Sequence, residues 1–76
     1  MSRMIGLMLN LTEAKEFEYL LKKEMEDLLF DLQDNRLDKL VIKVMEERYQ
    51  VLFKLFSRLA APAECTRFCR RKQSHT

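Results

Sequence analysis

Cys65 and Cys69 stand four apart near the C-terminus, with His75 beyond them. Thiolates and an imidazole are zinc ligands, and this Cys spacing suits a metal-binding pair. A structural zinc site takes four ligands, however, and one chain supplies three here. No metal or cofactor is therefore expected. A disulfide between the two would close a very small loop, geometrically open only to a non-helical segment. With no secretion pattern upstream, reduced thiols are expected. Around the same cysteines, Arg67, Arg70, Arg71 and Lys72 surround Phe68. Cations interleaved with an aromatic can contact phosphates and stack on single-stranded bases. That gives an alternative reading as a nucleic-acid-binding accessory protein. The chain's net charge is only +2, and its acids are concentrated upstream, so a solvated basic tail is the expected role. Catalysis finds little material. A single Gly excludes the Gly-rich phosphate cradles, the one His is His75, and the acids recur at helical spacing, as on a solvated face. The chain is read as not an enzyme.

The elements that would position these residues are helical. The chain has 76 residues, with 1 Gly, 1 Pro and 34% Asp, Glu, Lys or Arg, enough for one domain and poor in turn residues. Helix A is expected over about 12–33. Thr12 is a possible N-cap, and Asn10 with Glu13 offers a capping box slightly earlier. Phe17, Leu21, Met25, Leu28 and Leu32 follow one helical face. "QDNR" at 33–36 is the interior break, with Asn35 and Asp38 spaced as a second capping box. The step from Leu32 to Leu37 rotates the apolar face by roughly 140° at ~100° per residue, which argues against one unbroken helix. Helix B is expected over about 36–61, stopped by Pro62. Residues 62–76 are expected to be a basic, disordered tail, and residues 1–11 an apolar N-terminal segment. The predicted class is all-α, a two-helix antiparallel hairpin assembling as a dimeric four-helix bundle.

Charge is divided between the two helices. Positions 12–34 hold eight acids and three lysines, and positions 35–61 hold six bases and three acids. Opposite signs suit helices lying side by side.

Helix B carries more apolar surface than one neighbour can cover. Leu37, Leu40, Val41, Val44, Val51, Leu52, Leu55 and Leu59 form one stripe. Ile42, Met45, Tyr49, Phe53 and Phe56 form another. Together they span roughly 220° at ~100° per residue, about twice the width a surface helix needs. Helix A is assigned to the Leu/Val stripe, which leaves Ile42, Met45, Tyr49, Phe53 and Phe56 as the expected interface. Three covers are open: a second copy, another protein, or the chain's own apolar start at Met4, Ile5, Leu7, Met8 and Leu9. A homodimer also agrees with the difficulty a chain this small has in burying enough surface by itself. Tyr19 and Phe30 point away from helix A's stripe as possible further contacts.

"DNRLDKLV" at 34–41 resembles the "SQELDKLI" segment of the small two-helix aspartyl-phosphate phosphatases of sporulating bacteria, through Leu37, Asp38, Lys39 and Leu40. The resemblance implies a phosphatase-like protein as a second alternative function. Asp34 stands where that family has its serine, and no catalytic role is carried over. The leading expectation is a small non-enzymatic helical protein that works by protein–protein interaction, possessing no membrane span. The apolar start lacks a small-residue cleavage site, so the expected location is cytoplasmic.

Overall fold

The computed structural model describes residues 3–69. It is all-helical over that range, with α1 at Leu11–Asp31, α2 at Lys39–Ser57 and α3 at Pro62–Phe68. α1 starts at the earlier of the two capping signals. The Glu13 amide donates to Asn10 Oδ1 at 2.8 Å, and the Asn10 amide donates to Glu13 Oε1 at 3.1 Å. This reciprocal box satisfies two of the N–H groups that a helix start leaves without partners. It sets the first helical residue at Leu11, so Thr12 lies inside the helix.

The connection between α1 and α2 turns without Gly or Pro. The Gln33 and Asp34 amides donate back to Phe30 and Asp31 carbonyls, closing the end of α1 with three-residue turns. Asp34 then takes the Arg36 amide at 3.0 Å and its guanidinium at 3.1 and 3.2 Å. A short carboxylate bonding the backbone two residues on is the usual turn device of aspartate. The expected box between Asn35 and Asp38 does not form. Asp38 occupies the N-cap position of α2 with no side-chain cap bond.

α2 packs against α1, and α3 packs against α2. The core is Leu21, Met25 and Leu28 from α1, Tyr49 and Phe56 from α2, and Phe68 from α3. Three members of the predicted α1 stripe are thus buried, and Phe17 packs at the edge of the core.

Two expectations are corrected here. Residues 62–68 are a helix docked on the core, where a disordered tail was expected. α2 ends at Ser57 with Arg58 as its C-cap, short of the expected stop at Pro62, and Pro62 instead begins the next helix. It occupies the first turn of α3, where its missing N–H costs nothing and its fixed φ is already helical. Phe68 anchors that helix. Its ring meets Phe56 edge-on at 5.4 Å, and its carbonyl accepts from the Tyr49 hydroxyl at 2.6 Å.

The second correction concerns the two stripes of α2: the aromatic stripe faces the core, and the Leu/Val stripe is divided, with Leu52, Leu55 and Leu59 packed at the edge of the core. α1 and α3 cover the side bearing Met45, Tyr49, Phe53 and Phe56. Leu40, Val41, Val44 and Val51 are exposed instead. Bulk decides between them. A buried aromatic removes on the order of 150–250 Å² from water, more than a valine offers, so the face with the larger rings turns inward.

Candidate interaction surface

The outer side of α2 is built by spacing. Leu40, Val44 and Val51 lie within about 40° of one another on the helix at ~100° per residue. They are 67%, 57% and 60% exposed. Leu55 is half-buried beside them, and Val41 is exposed at one edge. The strip from Leu40 to Val51 runs for roughly 16 Å at ~1.5 Å per residue. Lys43 and Lys54, both exposed, lie about 60° to one side of it. Lys39 and Arg58 mark its two ends. Lys39, Lys43, Lys54 and Arg58 make no ion pair among the described residues. Glu47 is the acid that shares this exposed side.

Arg48 borders the strip on the other flank and reaches Glu24 of α1 at 3.2 Å. Both partners are substantially exposed, and such a pair contributes little stability. It does fix which flank of α2 faces α1.

The expected interface residues lie elsewhere. Tyr49 and Phe56 are fully buried, Ile42, Met45 and Phe53 are half-buried, and four of the five serve the intramolecular core. Of the N-terminal apolar residues offered as a cover for α2, Met4, Ile5, Leu7 and Met8 are exposed, and Leu9 is half-buried. Tyr19, Leu20 and Phe30 are exposed on α1, as Tyr19 and Phe30 were expected to be.

The basic cluster is divided by the structure. Phe68 is buried against Phe56, so it cannot stack on a base. Arg67 pairs with Glu64 at 3.3 Å and lies over the Phe68 ring at 5.7 Å. Glu64 also takes Lys22 of α1 at 3.8 Å, so α3 is held to α1 by charge as well. Arg70, Arg71 and Lys72, together with His75, lie outside the described residues. Cys65 sits within α3, its Sγ 3.8 Å from the Ala60 carbonyl, and Cys69 caps the helix; neither is in a disulfide. Among the described residues no three His, Cys, Asp or Glu side chains group as a metal site.

An open depression beside the α1–α2 connection is lined by Phe30, Asp31, Gln33, Asp34, Arg36 and Leu37. The charged pair in it is already engaged. The Arg36 side chain, and then its amide, hold the Asp34 carboxyl below the ordinary aspartate range. Asp34 there pairs with a cation rather than with a nucleophile or a general base. Among the described residues no helix is long and apolar enough to cross a membrane.

No protein-family profile matches the chain, and no curated protein or solved structure is significantly similar to it.

Proposed function

We propose that this chain is a non-enzymatic binding module that works by protein–protein contact, with the outer side of α2 as its contact surface. One observation carries this reading. Leu40, Val44 and Val51 form an aligned apolar strip that the chain leaves in water. Single exposed apolar residues are ordinary, whereas an aligned strip with a polar rim is the usual mark of a docking surface. A helix presenting such a strip is a common recognition element. A dimer joined through α2, making a four-helix bundle from two α1–α2 hairpins, is one form of this contact. It would bury the Leu40–Val51 strip rather than the Ile42–Phe56 side.

A photo-crosslinking residue placed at position 44 in the producing cells tests the reading, with position 26 on the outer side of α1 as control. The expected result is a discrete crosslinked species from position 44 and none from position 26. Its mass tells a second copy from a different protein. Equal, diffuse labelling from both positions would remove the proposal.

A further inference from the structure

The charges around the α2 strip select its occupant. We infer that the outer side of α2 docks an amphipathic helix of another protein whose apolar stripe is bordered by acidic residues. This rests on the proposed binding role of that side. The strip is bordered by Lys43 and Lys54 and ended by Lys39 and Arg58, four exposed cations without an ion pair among the described residues, against one exposed acid on that flank, Glu47. A partner placing carboxylates over that flank gains attraction and is steered to it, while a basic partner is repelled.

The same charges argue against two copies meeting here. In an antiparallel pair of α2 helices related by a two-fold axis, matching flanks face each other. Lys43 and Lys54 of one copy would then border those of its mate, and the single acid of each flank, Glu47, offsets only part of that repulsion. Like charges so placed oppose association. The acidic outer side of α1 is a poor substitute for the foreign helix. Its exposed aromatics Tyr19 and Phe30 are eleven positions apart, with Lys23 and Glu26 between them on the same side. They form no continuous stripe to match Leu40, Val44 and Val51. The exposed N-terminal segment has the apolar residues, but its described part carries Arg3 and no acid.

Two synthetic helical peptides with one shared leucine stripe provide the test, one with glutamates along both flanks and one with lysines. Each is titrated into the isotope-labelled full-length protein, following amide shifts and binding by fluorescence anisotropy. The glutamate peptide is expected to bind about tenfold tighter or better, a difference that charge contacts of this kind can supply. Its shifts should centre on Leu40, Val44 and Val51, and its affinity should fall as salt rises from about 50 to about 300 mM. Val44→Asp should abolish binding. The double variant Lys43→Glu, Lys54→Glu should favour the lysine peptide while circular dichroism shows the helices retained. Equal or tighter binding of the lysine peptide by the unaltered protein at this strip overturns the inference and leaves the proposed role standing. Shifts centred on α1 or α3, or uptake by phosphatidylglycerol vesicles in place of either peptide, overturn it as well. A dimer in sedimentation that Val44→Asp dissociates, with neither peptide bound, assigns the strip to a second copy and also overturns it. If neither peptide binds and position 44 gives no specific crosslink, both proposals are lost.

Discussion

Tyr49 carries a short, buried polar contact. Its ring is fully buried, and its hydroxyl donates to the Phe68 carbonyl at 2.6 Å. Replacing it by phenylalanine keeps the ring and removes the donor. The Phe68 carbonyl is then left without its partner in a buried position, which costs about 1–3 kcal/mol. Tyr49→Phe is expected to lower stability by that amount in urea unfolding and to speed hydrogen exchange in α3 more than in α1. The sequence gives no sign of this bond, because it joins residues 19 apart and its acceptor is a main-chain atom. Asp34 offers a second test at this scale. Its carboxyl is held low by Arg36, first through the side chain and then through the backbone amide. A depressed acid stabilises the turn above its unfolded pKa, and that contribution disappears as pH falls through the lower folded value. The Asp34 carboxyl should therefore titrate below ordinary aspartates in carbon-detected NMR. Arg36→Ala removes the side-chain part and should raise it toward the ordinary range, while the retained amide at position 36 still holds it low.

At the scale of elements, much of the helix layout was legible. Apolar spacing located α1 and α2, and their break at 32–38 followed from the rotation of the stripe between Leu32 and Leu37. The start of α1 was ambiguous because Asn10 and Thr12 are both good caps. Glu13 resolves it, since it stands three positions after Asn10 and the reciprocal bonds can form only there. Asn10→Ala should cost about 1 kcal/mol of stability, measured by thermal or urea unfolding. An unchanged midpoint would mean that Thr12 caps the helix equally well. α3 was not legible. Seven residues are too few to show a period, and Pro62 reads as a stop. What makes the segment a helix is tertiary: Phe68 lies against Phe56, and Glu64 reaches Lys22. The identity of the outward stripe on α2 was missed for a related reason. Helix A was set against the Leu/Val stripe as a whole, whereas buried area per residue favours Tyr49, Phe53 and Phe56, with only Leu52, Leu55 and Leu59 of that stripe joining them.

At the scale of the whole molecule, six side chains form the buried core among the described residues. A core that small leaves one side of a very apolar helix in water, and in the proposed function that outer side binds while the inner face is structural. This division also assigns the charges. Glu24 and Arg48 join α1 to α2, while Lys43 and Lys54 remain at the outer flank. The most direct test of the division compares the urea unfolding of Val44→Asp with that of Met25→Ala at micromolar protein. If Val44 faces solvent in the free chain, Val44→Asp stays within about 0.5 kcal/mol of the unaltered protein, as surface substitutions do. Met25→Ala, which empties a fully buried position, should lose about 2–5 kcal/mol. A loss for Val44→Asp as large as that for Met25→Ala would show that the outer face is already buried in the folded chain, and would contradict the account.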